Sequence, residues 1–406
     1  MSKPFVSFSE LGQRSPADAL HDIFHQAGSR SAQWHAEGKE FISLAVGAPD
    51  NNLLPTALHD QLQKAAFARH GATLLNYRFT ALERALQESL TARGATFDDD
   101  TDILVTSGGM EAINLAARSL LAAGDTVIVE APAFTGTLGV FKEIGVRIVQ
   151  VECGKDGVAP DDLEAAIIAH KPKLVSLMPD NQNPTGVTMP LQNRKAIADL
   201  LKKYGVYAIE DGAYSELGFD NPKIPPLQSF APEWVLYATS FSKILWPAIR
   251  TGCLVAKKEI IAVDGRMKFN FNMVTSPVAQ AMVEQFITAN KGGLFAKRTA
   301  TLREAYAKRY AAMDRALTVH LADQGITWRT PKGGMFVWLE APAQVNFSEL
   351  FVPALDNGVA FVPGGKCYAN ELDAPHNTAR LNFASTPEDK MDEAVRRLAV
   401  TLRQAV

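Results

Sequence analysis

The sequence predicts an α/β protein: a large domain on a mostly parallel seven-stranded sheet, followed by a small α+β domain. Two observations carry this. Between residues 100 and 260, seven short β-rich apolar runs alternate with helical patterns, and such βα units build parallel sheets covered by helices on both faces. The runs are also near-continuous in apolar residues, as strands buried on both faces are.

In chain order, the runs fall at 103–106, 126–130, 147–151, 173–178, 206–210, 234–239 and 252–256, with helical patterns at 110–121, 160–170 and 191–204 among them. From about 276 to 318 the pattern is helical. Leu302, Tyr306, Tyr310 and Met313 recur at spacings of four, four and three, which places them on one helix face. Short strands are then expected at 327–329 and 335–339, a helix at 347–357, two further runs at 359–362 and 380–383, and a last helix from about Glu388. The first 45 residues are helical and polar, without a core of their own, and are expected to pack on the small domain or on a partner subunit. This divides the chain into 1–45, 46–285 and 286–406, with Gly292-Gly293 as a candidate hinge.

The 406 residues are 47% hydrophobic, enough for a large core in two or three domains. A net charge of -3 gives no electrostatic reason to expect a nucleic-acid or acidic-membrane partner. Cys153, Cys253 and Cys367 are odd in number and far apart, which argues against a disulfide framework or a structural zinc site and for a reducing cytoplasm. No secretory signal or membrane-length apolar run is read. Asp98-Asp99-Asp100 reads as a solvated turn and the eight histidines form no HExxH motif, so no metal is expected.

The chemistry concentrates in Ser240-Phe241-Ser242-Lys243, followed by Arg250. Forked guanidinium donors and short hydroxyls suit a phosphate, and a lysine held beside one can form a Schiff base with an aldehyde. Taken alone, a lysine between serines is more often a solvated surface residue. Four more segments follow strands: Thr106-Ser107-Gly108-Gly109-Met110, Ala131-Pro132-Ala133-Phe134, Asn181-Gln182-Asn183-Pro184-Thr185-Gly186 and Glu210-Asp211-Gly212-Ala213-Tyr214. Each has a bland reading as a tight turn, a core aromatic, a loop or a capping aspartate. Arg380-Leu381-Asn382-Phe383 could equally hold a surface ion pair.

Together, in this order and spacing, these segments resemble the class I/II aminotransferases, which are fold-type-I enzymes dependent on pyridoxal 5'-phosphate (PLP). The resemblance is nearest the kynurenine/α-aminoadipate branch and covers about residues 40 to 400. It implies that Lys243 carries PLP as a Schiff base and moves a proton between the substrate Cα and the cofactor. Ser240, Ser242, Arg250 and the backbone amides of Gly109 and Met110 are implied to hold the phosphate. Asp211 is implied to face the pyridine nitrogen, Asn183 and Tyr214 the ring oxygen, and Phe134 the ring face. Arg380 is implied to clamp the substrate carboxylate, with Gly47 and Asn183 close by. Tyr77 is implied to reach the phosphate of a neighbouring subunit, which makes the enzyme a homodimer acting on an amino acid and a 2-oxo acid.

Gly333-Gly334-Met335-Phe336-Val337-Trp338 also matches and reads as small-domain packing. The chain departs from the pattern at Ala81 and Ala248, where glycine is usual, and at Trp246, where a small residue is common. These departures keep other PLP reactions open: a β-lyase, a decarboxylase, an amino-acid oxidase or a synthase. A ligand-sensing regulator on the same scaffold is the remaining alternative. It needs an added DNA-binding domain, for which the residues before Gly47 are too few.

Overall fold

The computed structural model describes residues 19–77, 79–220 and 224–403. Helix α1 (Ala19–Ala36), the two-residue strand β1 (Ile42–Ser43), α2 (Thr56–His70) and α3 (Ala81–Ala92) precede the main sheet. Then come β2 (Thr101–Thr106), α4 (Gly109–Leu120), β3 (Thr126–Ala131), α5 (Thr135–Ile144), β4 (Arg147–Gly154), β5 (Gly157–Val158), α6 (Pro160–His170), β6 (Leu174–Leu177), α7 (Leu191–Tyr204), β7 (Tyr207–Asp211), β8 (Val235–Ser240) and β9 (Gly252–Lys257).

All seven expected runs are strands of one sheet, in the order β2-β9-β8-β7-β6-β3-β4-β5. The eighth member, β5, is a two-residue return against β4. Strands β4, β3, β6, β7 and β8 run parallel, and β9 is antiparallel to both of its neighbours. Every residue of β6 and β8 is buried, as a sheet covered on both faces requires. The helices between them are locally encoded. In α6, Pro160 takes the first position, Asp161 and Asp162 follow in the first turn, and Lys171 ends the helix in the left-handed region. Parallel strands direct their C-terminal ends to one edge, where open α/β sheets bind ligands.

Three helices follow: α8 (Lys258–Asn272), α9 (Pro277–Thr288) and α10 (Gly293–Leu321). The helical stretch expected over 276–318 is thus broken, at Asn290 and Lys291, both with φ 54°. The domain boundary expected at 285/286 falls inside α9, which packs on α2 and α3 of the large domain. Apolar periodicity continues on both sides of the break, so the pattern did not reveal it. The break directly precedes Gly292-Gly293.

The last part contains β10 (Thr327–Trp328), β11 (Phe336–Glu340), α11 (Phe347–Asp356), β12 (Val359–Ala360), β13 (Val362–Pro363), β14 (Thr378–Asn382) and α12 (Glu388–Arg403). Its antiparallel sheet has the order β10-β11-β14-β13. Leu302, Tyr306 and Met313 of α10 are fully buried, and α10 packs on α12. Helix α1 lies on α11 with Leu20, Ile23 and Ala27 buried, and Arg30 pairs with Asp356. Strand β1 pairs with β12, which leads residues 44–47 toward the edge of the large sheet. Among the described residues, no helix is long and apolar enough to cross a membrane.

Asp264 of α8 is fully buried, and neither carboxyl oxygen has a hydrogen-bond partner. Burial pushes its pKa from 3.8 to about 6. The folded chain therefore holds an extra proton between these values. The stability from Asp264 is fully present below about pH 4 and is lost as the pH rises through about 6. Asp264→Asn is expected to raise the unfolding free energy by roughly 3 kcal/mol at pH 8 and to change it little at pH 4. Urea melts at the two pH values check this, and an equal effect at both would refute it.

Candidate active site

Three strand ends and one loop build the floor of the site. β7 ends on Asp211 and β8 on Ser240, with Lys243 three residues further on. β2 turns through Ser107 and Gly108 into α4. Gly47, Gly109, Met110, Phe134, Asn183, Asp211, Tyr214, Ser240, Ser242, Lys243, Arg250 and Arg380 all line one cavity of about 300 Å³. Of the residues expected from sequence, Tyr77 alone lies outside it, 68% exposed.

At one end the groups suit a phosphate. Arg250, itself at φ 43°, donates from Nη2 to Ser107 O at 2.7 Å and from Nη1 to Ser242 Oγ at 3.4 Å. Ser240 Oγ accepts the Ser242 N–H at 3.2 Å. The first-turn amides of α4, Gly109 and Met110 among them, have no carbonyl within their own helix to bond, and a helix N-terminus favours anions. Gly108 has φ +104°, and a Cβ there would stand 2.6 Å from Arg250 Nη2. Only glycine lets the turn and the guanidinium approach so closely.

In the middle of the cavity, Lys243 Nζ donates to Gly47 O at 2.7 Å. Burial, Arg380 and Arg250 lower its pKa to about 8, against the pull of Asp211. Asp211 is pushed up to about 6 by burial, although the Ala213 N–H and the Lys243 charge pull it down. Burial likewise raises the Tyr214 phenol. Asn183 Nδ2 donates to Tyr214 Oη at 3.4 Å. Phe134 stands at the start of α5, against Gly136, where a Cβ would come within 2.7 Å of its ring.

At the far end, β14 carries Arg380, only 2% exposed. Its Nη1 donates to Asn183 Oδ1 at 3.0 Å and its Nη2 to Ala45 O at 2.7 Å. Its Nε is buried without a partner. The guanidinium lies 4.4 Å from the centre of the Phe336 ring, which also meets Tyr214 edge-on at 5.7 Å. The segment 333–338 therefore does more than pack the small domain, because it backs the arginine.

Sequence reasoning missed the opposite wall. Leu20 and Phe24 of α1, with Val46, Ala48, Ile113, Met178, Ala213 and Pro247, complete the lining. No motif marks Leu20 and Phe24, whereas Val46 and Ala48 flank Gly47 in the segment 46–49. The one signal was the pattern of buried apolar residues along α1. The three departures stand outside the cavity: Trp246 packs on His59 at 5.3 Å, Ala248 is exposed, and Ala81 opens α3.

The residues fit a phosphorylated pyridine aldehyde. A guanidinium, two hydroxyls and helix-N-terminal amides meet at one end, an amine of lowered pKa stands in the middle, and the buried acid Asp211 lies on the same cavity wall. Fold and site together define a fold-type-I, PLP-dependent aminotransferase. The description of the aminotransferase class I and II family matches residues 39–398, and the chain belongs to that family. Aromatic-amino-acid aminotransferase 1 of Thermococcus litoralis is 32% identical over 378 residues, covering 91% of this chain and 89% of that one. The 2-aminoadipate transaminase of Thermus thermophilus is 32% identical over 370 residues, covering 89% and 90%. The crystal structure of the kynurenine aminotransferase of Pyrococcus horikoshii, a complex with PMP, superposes with a TM-score of 0.89 at 30% identity, covering 98% and 97%.

Proposed function

We propose that this aminotransferase takes its amino group from an L-amino acid with an apolar or aromatic side chain and passes it to a 2-oxo acid. One observation carries the choice of side chain. Among the described residues, the only charged groups lining the cavity are Asp211, Lys243, Arg250 and Arg380, and each already has a task. The wall left for the substrate side chain, Leu20, Phe24, Val46 and Ala48, is apolar, so a second carboxylate there would be buried without a partner.

When bound, PLP supplies an aldehyde that condenses with amines and a protonated ring that accepts electron density from the substrate Cα. Asp211 would keep the ring nitrogen protonated, Tyr214 and Asn183 would hydrogen-bond the ring oxygen, and Phe134 would pack on the ring. Arg250, Ser240, Ser242 and the amides of Gly109 and Met110 hold the phosphate. Arg380 would hold the substrate carboxylate and so fix the orientation of the amino acid in the cavity. Lys243 Nζ, whose pKa is lowered to about 8, would serve as the base that accepts and returns the substrate Cα proton.

We also propose a homodimer. Phe269, Phe271 and Met273 expose apolar surface at the end of α8, and Asn272 between them reaches Ser107 beside the phosphate end. Tyr77 and Leu75 are exposed as well, which suits a role in a partner's site. A solution mass of two chains supports this reading, and a monomeric holoenzyme ends it. Three free, buried cysteines support a reducing, cytoplasmic setting.

The decisive experiment is a donor panel with the PLP-loaded protein. Phenylalanine, leucine and kynurenine are expected to exceed aspartate and glutamate by at least about tenfold in kcat/KM. Turnover should stall after one cycle unless a 2-oxo acid is added. Preference for an acidic donor removes the proposed side-chain class. Product without any acceptor removes transamination.

A further inference from the structure

Behind the cavity runs a buried polar chain that none of these roles uses. Glu130, near the end of β3, is 4% exposed. Its Oε2 accepts the Met178 N–H at 2.9 Å and the Gln182 Nε2–H at 3.4 Å. Gln182, 1% exposed, also donates from Nε2 to Pro132 O at 2.7 Å. Its Oε1 accepts from Thr185 N at 2.9 Å and from Thr185 Oγ1 at 2.6 Å. All four hydrogen-bonding positions of this amide are therefore filled, and a flipped amide would set donor against donor. The Gln182 backbone closes the loop, donating to Val187 O at 2.8 Å and accepting from Gly186 N at 2.6 Å.

Asn183 comes next in the chain. Its N–H meets Met178 Sδ at 3.0 Å. Its side chain joins Tyr214 and Arg380, the ring-oxygen side and the carboxylate side of the cavity. We propose that Glu130 and Gln182 are positioning residues for amino-group transfer, holding the Asn183 amide where it meets Tyr214 and Arg380 together.

A buried carboxyl is a costly way to fill space, and an apolar side chain of similar volume does so with less penalty. Here burial pushes Glu130 up to about 8, with the nearby Asp211 charge adding to the rise. What the carboxyl does in return is accept from two inward-facing donors, the Met178 N–H and the second Gln182 proton. Without it the Met178 N–H and the second Gln182 proton are left unpaired, one beside Asn183 through its Met178 contact and the other next to it in the chain.

The proposal rests on the assignment of Asn183 and Arg380 to cofactor and substrate. The test uses PLP-loaded Glu130→Leu, Gln182→Leu and Glu130→Gln proteins beside wild type, with two measurements. One is the pH midpoint of the bound cofactor's visible absorbance. The other is the KM for the amino donor. The leucine variants are expected to move the midpoint by about half a pH unit or more and to raise KM about tenfold. Glu130→Gln, which keeps an acceptor for Met178, should fall between them and wild type. If a folded leucine variant keeps the wild-type midpoint and KM, the proposal is overturned, however far its melting temperature drops. Should Glu130→Leu not fold, the other two variants decide by the same measurements. Borohydride fixation of PLP away from Lys243 in the wild type would instead overturn the site assignment itself, a failure distinct from the first.

Discussion

Lys243→Ala is expected to abolish amino-group transfer, lowering turnover by about 10⁴-fold or more, because one side chain serves as both nucleophile and proton carrier. Its place is set from two directions. The loop after β8 presents it to the cavity, and Gly47 O from the N-terminal side receives its Nζ at 2.7 Å. Burial and two guanidinium groups bring its pKa down from 10.5 to about 8, so the neutral amine that attacks an aldehyde is available near physiological pH. The rate at which cofactor-free protein captures PLP should therefore rise with pH to a midpoint near 8, not near 10.5. Stopped-flow absorbance measures this. In Lys243→Ala the phosphate end is intact, so PLP should still bind but should wash away after borohydride. Wild-type turnover in that variant would end the assignment.

Arg380→Ala is expected to lower kcat/KM by about 10² to 10³, chiefly through KM, as loss of one partner of a buried charge pair does. The guanidinium is buried, supported by Asn183, Ala45 O and the Phe336 ring, and its Nε has no protein partner. It is thus held in a fixed plane with an N–H left on each Nη and on Nε, enough for two-point recognition of a carboxylate. Arg380→Lys should recover little, because an ammonium has no planar fork. A primary amine lacking the carboxylate gives the control. Wild type and variant should process it alike, and an equal loss on this amine would show that Arg380 acts through structure alone.

The residues singled out from the sequence meet in one cavity where chemistry and chain neighbourhood coincide. Ser240, Ser242 and Lys243 follow one strand, and Asp211 and Tyr214 follow the next strand over. Their residue types, spacing and turn glycines are local properties, visible without a fold. Reading failed where a role depends on distant packing. Glu130 looked like the end of a strand, and only the fold sets Gln182 against it. Phe336 looked like core, and the pairing of β11 with β14 puts it beneath Arg380. The helix break at Asn290 and Lys291 lies directly before Gly292-Gly293, the candidate hinge, rather than at 285/286.

The amino-acid sequence alone thus determined the βα alternation, the strands that end at the site, and the lysine, aspartate and arginines that line it. These follow from backbone preference and side-chain chemistry within a few residues. The tertiary structure alone decided which groups face one another. Pairing of β1 with β12 brings Gly47 to Lys243, and packing of α1 on α11 brings Leu20 and Phe24 to the cavity wall. The physical reason is that contacts between residues hundreds of positions apart arise from burying apolar faces against each other. A hydrophobic pattern says which face is buried, but not against what.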